Sequence, residues 1–273
     1  MTRDGWLGSA DGTRLYWQAW EPDTPRAAVI LVHGAAEHGG RYRHVAERLL
    51  HEGYAVYALD HRGHGRSDGR RAMIDRLDRL VADLGLFVKR VREEHEGSKP
   101  FLVGHSMGGA VSLAYAIRHG ETIQGLIVSG PAVATEAVPA ALKLITAGLS
   151  KLTPNLPVFK ISDDAVSRDP QVVLDYQKDP LNYPGKLPAR TLGEIMRAMD
   201  TIPRDAVALR APLLLLHGGE DRLCPPDGSR IVHANAGSND KTLKVYDGLY
   251  HEIFNEPEQD AVLDDVVEWL AAR

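Results

Sequence analysis

Ser106 lies in the run Gly104-His105-Ser106-Met107-Gly108, and the types and spacing there suit chemistry better than local stability. The surrounding stretch, "KPFLVGHSMGGAVSLAYAI", passes from an apolar strand-like run to an apolar helix-like run at that serine. Serine is indifferent in either element, and glycines two residues to each side weaken both. G-x-S-x-G between a strand and a helix is the nucleophile elbow. The turn is so tight that only small side chains fit two positions before and after the serine, and the strain lifts the hydroxyl above the sheet. The helix that follows aims its first N–H groups at the place where an oxyanion forms.

A neutral serine needs a base, and the order for this kind of site is serine, then an acid, then histidine. Asp221 follows the apolar run "PLLLLHG", and His251 follows "TLKVYDG". Both fall in loops beyond strand ends, on the sheet edge that carries Ser106. Glu220 competes with Asp221. His233, His119 and His95 compete with His251 but fall on helices or at helix ends. In a Ser-His-Asp triad Ser106 attacks an acyl carbon, His251 takes and returns the proton, and Asp221 holds the imidazole tautomer. The second oxyanion donor is expected after an early strand. "VILVHGAAEHGGRY" supplies it, with the backbone N–H of Ala35 pairing with that of Met107.

These positions require a particular scaffold. Residues 13–20 alternate and read as a strand after an Asp11-Gly12 turn. "AAVILVHG", "YAVYALD", "PFLVGHS", "IQGLIVSG", "PLLLLHG" and "TLKVYDG" are short apolar runs bounded by turn residues, as expected of strands buried on both faces. Helical patterns lie between them. Ile74, Leu77, Val81, Leu84, Val88 and Val91 share one face, "MGGAVSLAYAIRHG" is a small-residue helix closed by Gly120, and "QDAVLDDVVEWLAAR" is an amphipathic terminal helix. The alternation predicts an α/β fold with a mostly parallel sheet and helices on both faces.

The rhythm breaks between Ala134 and Pro203, where Val138, Leu142, Ile145, Leu149 and Leu152 share a helical face. The expected organisation is a core from residues 1–133 and 204–273, with a helical insertion at 134–203. No internal repeat is visible, which argues against a solenoid.

The 273 residues carry a formal charge of −5, which argues against nucleic acid as a partner. The one basic cluster, "DHRGHGRSDGRR", is Gly-rich and interspersed with acids, and reads as a structured loop. With one cysteine, Cys224, there is no intrachain disulfide and no cysteine-rich metal site. The first residues lack the apolar run of a signal peptide, and no apolar stretch is long enough to span a bilayer. The expectation is a soluble cytoplasmic protein, with surface association with a membrane left open. Oligomeric state has no signal in the sequence.

Taken together, "HGAAEHGGRY", "ALDHRGHGRSDG", "GHSMGGA", "HGGEDRLCPP" and "YHEIFNEPE" resemble the monoacylglycerol lipase family of α/β-hydrolases, and bacterial monoglyceride lipases of the actinobacterial type most closely. The motifs cover nearly the whole chain in the family's order. The resemblance implies the triad Ser106, Asp221 and His251, backbone oxyanion donors at Ala35 and Met107, and Glu37 and Arg41 as polar neighbours of the glycerol head, although those two also suit pairing with each other. It implies a cap with a lipophilic entrance, on which Ile145 and Leu149 would meet the acyl chain and through which the protein would touch membrane transiently. It implies no metal and no cofactor. Cys224 resembles a cysteine near the triad in some animal members, but a small side chain packed under a loop is the favoured reading.

The expected reaction is hydrolysis of a monoacylglycerol to fatty acid and glycerol. A broader carboxylesterase, thioesterase or lysophospholipase is the alternative, since fold alone does not separate them. A non-hydrolytic lipid-binding protein on this fold would be expected to lose part of the triad, and nothing is lost. Haloalkane dehalogenase and epoxide hydrolase chemistry needs a carboxylate where Ser106 stands.

Overall fold

The computed structural model describes residues 2–133 and 140–273. An eight-stranded sheet forms the centre: β1 (Thr2–Gly8), β2 (Arg14–Trp20), β3 (Ala28–Val32), β4 (Ala55–Leu59), β5 (Phe101–His105), β6 (Gly125–Ser129) and, after an excursion, the strands Leu213–Gly218 and Lys241–Tyr246. The excursion carries a short ribbon, β7 (Pro157–Phe159) and β8 (Leu187–Pro188), so the last two sheet strands are β9 and β10. The sheet order is β1-β2-β4-β3-β5-β6-β9-β10. The contacts of β2 with β1 and β4 are antiparallel, and the remaining pairings are parallel.

Every apolar run in the sequence became a strand, although β10, from "TLKVYDG", lies at the sheet edge with no fully buried residue rather than buried on both faces. Each residue of β3, β4, β5, β6 and β9 is buried, and alternate side chains enter opposite layers. Ile30 and Val32 pack with α2 (Leu77–Glu94) and α3 (Met107–His119), while Val29 and Leu31 pack with α1 (Arg43–His51) and α8 (Gln259–Ala271). Helices therefore cover both faces, as expected. Ile74 is buried but precedes α2 rather than belonging to it. Gly120 follows α3 in a right-handed conformation (φ −58°) and opens a 3₁₀ turn, so the helix closes without a left-handed glycine.

Between β6 and β9 the chain leaves the sheet through α4 (Ala140–Leu152), β7, α5 (Pro170–Lys178), β8 and α6 (Ala189–Asp205). α6 runs past residue 203, and a 3₁₀ turn to Ala208 precedes the return to β9. Val138 and the expected boundary at Ala134 lie outside the described residues. α7 (Asp227–Asn235) connects β9 to β10. No helix among the described residues is long and apolar enough to cross a membrane.

The basic cluster is a structured loop. His61, Arg62 and His64 are buried. Arg62 is forked onto the buried Asp83 of α2 at 2.7 and 3.0 Å and reaches Asp11 and Ser9. Removing one partner of such a pair strands a charge in the interior. Asp83→Ala is expected to destabilise the fold by about 3 kcal/mol, read as a lowered urea midpoint. An Arg62→Met, Asp83→Leu double variant is expected to recover much of that loss.

Candidate active site

The elbow is built by close contact. Ser106 sits between β5 and α3 with φ 53° and ψ −119°, a left-handed value that costs a serine strain. A Cβ on Gly108 would lie 2.1 Å from the Val32 carbonyl oxygen and 2.4 Å from that of His33. One on Gly104 would lie 2.6 Å from Ser112 Oγ and 2.7 Å from the Gly108 carbonyl. Both glycines are therefore dictated by α3 crossing directly over the ends of β3 and β5. The Ser106 N–H is held by the Ser129 carbonyl at 2.9 Å.

Asp221 and His251 meet at the same sheet edge, with Oδ2 2.6 Å from Nδ1. Asp221 Oδ1 accepts the N–H groups of Leu223 and Cys224, each at 2.9 Å. The buried His217 lies 3.2 Å from Oδ2 and also bonds the Cys224 carbonyl and Ser229 Oγ, each at 2.7 Å. Burial pushes the Asp221 carboxyl up, but His251, His217 and these bonds outweigh it and hold it well below the usual carboxylate range. Glu220 is exposed and makes none of these contacts.

Burial alone would lower the His251 pKa, but the Asp221 charge and bond, with Glu252 and Glu37 behind them, bring it above an ordinary imidazole. Ser106 and His251 line one cavity. No hydrogen bond joins Ser106 Oγ to the ring among the described residues, and serine–histidine contacts of this kind tighten when substrate arrives. His95 instead bonds Tyr57 at 2.8 Å and does not line the cavity.

The oxyanion side was only partly legible. Ala35 and Met107 both line the cavity, and neither N–H has a partner among the described residues. No motif in the sequence shows what aims the Ala35 N–H. His33 Nδ1 bonds the Gly34 carbonyl at 2.7 Å, and His33 Nε2 accepts the His61 N–H at 2.9 Å. In a trans peptide the N–H opposes the C=O, so fixing the Gly34 carbonyl points the Ala35 N–H the other way.

Glu37 and Arg41 pair with each other at 2.6 Å. Glu37 lines the cavity, whereas Arg41 does not; it is buried behind it against Glu252 and Tyr176. The pairing of Glu37 with Arg41 is the alternative the sequence left open beside a contact with the substrate head. Cys224 is a buried free thiol beside Ser106, and burial with the nearby Asp221 charge pushes its pKa well up. That fits packing better than reactivity.

The cavity holds about 400 Å³. Its polar end is Ser106, His251, Glu37 and Glu252, and its long apolar wall comes from the insertion, with Leu142, Ile145 and Leu149 of α4 facing Ile195 and Met199 of α6. Leu152, expected on the same face, is exposed and lies off the wall. A hydroxyl nucleophile, a raised imidazole and two free N–H groups at one end of an apolar slot are equipped for acyl transfer. Among the described residues no cluster suited to a metal ion is found.

A family model described as serine aminopeptidase, S33 matches residues 23–258. The chain is 46% identical over 264 residues to a monoacylglycerol lipase of Mycolicibacterium smegmatis, covering 96% of this chain and 94% of that one. It is 35% identical over 272 residues to a monoglyceride lipase of Rattus norvegicus, covering 98% and 90%. The crystal structure of a Paleococcus ferrophilus monoacylglycerol lipase superposes with a TM-score of 0.86 at 33% identity, covering 94% of this chain and 98% of that one.

The buried imidazoles generate a stability prediction. Burial lowers His33 well below its ordinary value and brings His64 to about 4 and His61 and His105 to about 3. The unfolded chain then binds more protons than the folded one below the free imidazole value, about 6.5. Stability is lost as pH falls through that value, by about 1.4 kcal/mol per pH unit for each such histidine. His251, shifted upward, opposes them singly. The urea midpoint is expected to drop steeply from pH 7 to pH 5.

Proposed function

The chain belongs to the serine aminopeptidase S33 family of α/β-hydrolases and is a carboxylic ester hydrolase, and from that premise we propose that its substrate is a monoacylglycerol, cleaved through an acyl-enzyme on Ser106. The observation that carries this reading is the cavity. One polar end has room for a compact head, and one apolar slot lies between α4 and α6. The names of the lipases in Mycolicibacterium smegmatis and Rattus norvegicus support it.

In the proposed mechanism Ser106 Oγ attacks the ester carbonyl carbon as His251 Nε2 takes its proton. The tetrahedral oxyanion accepts the Ala35 and Met107 N–H groups. Asp221 steadies the imidazolium through Nδ1. Collapse breaks the bond to the glycerol oxygen, which leaves with the proton from His251. Water then attacks the acyl-enzyme, gives its proton to His251, and the fatty acid departs as Ser106 regains its hydrogen.

The same reading treats the insertion as a cap with a lipid-facing side. Six of the nine exposed large apolar side chains among the described residues (Leu142, Leu144, Ile145, Leu152, Leu156 and Phe159) fall between residues 142 and 159. That concentration supports transient seating on a lipid surface.

Ser106→Ala is expected to lower turnover on the order of a million-fold with the fold intact, and a fluorophosphonate should label the wild type alone. Asp221→Asn is expected to cost much of the activity and Glu220→Gln little. The opposite order would assign the acid to Glu220. Rates should fall at acid pH as His251 protonates, with the limb above an unperturbed imidazole because the Asp221 charge outweighs burial.

Hydrolysis should fall from mono- to di- to triacylglycerol, because the cavity has one acyl slot. Each buried CH₂ contributes up to about 0.8 kcal/mol, so binding should strengthen with chain length until the slot is full. Ile145→Ser or Leu149→Ser should shift that ranking or weaken liposome binding while the protein stays folded. Efficient cleavage of long-chain triacylglycerol, or a preference for lysophospholipid in the same panel, would overturn the substrate assignment.

A further inference from the structure

A cluster of buried charge beside His251 takes no part in the proton transfers. Arg41 is its centre. Its Nη1 and Nη2 are forked onto Glu252 Oε1 and Oε2, each at 2.7 Å, and Nη1 also meets Glu37 Oε2 at 2.6 Å. Glu37 Oε1 accepts the Gly34 N–H at 2.6 Å and the Tyr42 hydroxyl at 2.7 Å. Glu252 Oε2 also accepts from Asn255 Nδ2 at 2.9 Å, and Tyr176 covers the guanidinium at 4.7 Å. Glu37 and Glu252 are almost wholly buried, and the Arg41 side chain is 10% exposed.

The ends of this chain of bonds decide its meaning. Gly34 is the residue before the oxyanion donor Ala35, and Glu252 is the residue after His251. Nothing in the sequence links the two segments, yet one guanidinium ties them. Fold stability is a weak reason to bury three charges, because replacing such a cluster by apolar groups of like volume is often neutral or stabilising. A geometric reason is stronger: a misplacement of about 1 Å costs an enzyme on the order of a hundredfold in rate.

We propose that Arg41, Glu37 and Glu252 form a positioning clamp that fixes the oxyanion loop and the histidine loop at one separation, with Glu252 setting the His251 side. The proposal rests on Ser106 and His251 being nucleophile and base. The clamp also has an electrostatic signature. Facing His251 are Asp221 at 2.6 Å and the His105 ring at 4.6 Å between centres. Glu37, Arg41 and Glu252 complete its charged surroundings, with His217 acting through Asp221. Loss of the Glu252 charge removes a neighbour that favours the imidazolium.

The test is turnover per active site in two variants, with sites counted by fluorophosphonate labelling so that unfolded protein drops out. Glu252→Gln keeps the shape and removes the charge. Glu252→Asp keeps the charge and is too short for the fork. Both are expected to lower kcat by about 10- to 100-fold with KM little changed. The acid limb of kcat should move to lower pH in Glu252→Gln and stay in place in Glu252→Asp. Wild-type kcat per labelled site in both variants would overturn the clamp. So would a loss in Glu252→Gln with an unmoved acid limb, the mark of a merely structural role. Where a single variant fails to fold, the uncharged triple variant Glu37→Gln, Arg41→Met, Glu252→Gln decides: a lowered kcat with its acid limb moved to lower pH sustains the proposal, and wild-type kcat, or a loss with an unmoved limb, overturns it. An unlabelled Ser106 in the wild type would instead refute the triad on which the clamp rests.

Discussion

The first turn of α3 lies against the carboxyl ends of β3 and β5 with no room for a side chain, and the site depends on that contact. Gly108 faces the Val32 and His33 carbonyls closer than any Cβ would permit. Because the helix can come no closer, the strand-to-helix turn places its residual strain on Ser106, whose φ is 53°. The same approach brings the Met107 N–H beside the loop that follows β3, where the Ala35 N–H is aimed by the His33 hydrogen bond. Nucleophile and both candidate oxyanion donors thus have one steric origin.

Charge is arranged around that floor so that each group has a reason to keep its state. Asp221 receives two backbone N–H groups and an imidazole, which suits an anion. His33, His61, His64 and His105 are held neutral by burial, and His251 alone among these rings is biased toward its charged form. Two imidazoles, His105 and His251, lie 4.6 Å apart and are pushed in opposite directions by what surrounds them. The difference comes from the carboxylate that only one of them touches.

Much of this was legible in the sequence because the signals were local. A run such as "PLLLLHG" can hardly be anything but a doubly buried strand, and the elbow needs only five consecutive residues. β1 was missed because "TRDGWLG" sits at an edge, half exposed along its length, and has no apolar run to announce it. α5 and the β7–β8 ribbon were hidden by prolines and short lengths. The partners of the site were illegible for a different reason. Arg41 meets Glu252 across 211 residues, and His217 backs Asp221 from inside a strand that reads as plain core. Pairings of that kind are set by the folded backbone, and no spacing rule encodes them. A motif likewise shows Arg41 to be near the site without showing which way it faces.

Side chains such as Asp179 and Arg168 tie the insertion to the core, and two further bonds beside the chemistry run between main-chain atoms alone. The Tyr183 N–H bonds the Ala36 carbonyl at 2.8 Å, and the Val166 carbonyl accepts the Glu252 N–H at 2.7 Å. Main-chain bonds make no demand on side-chain identity. Substitutions along the apolar wall of the cavity therefore leave those two bonds in place. Such an arrangement separates the sheet edge, which carries Ser106, Asp221 and His251, from the apolar side chains lining α4 and α6. In the laboratory it makes those lining positions the natural ground for reprogramming which esters are accepted.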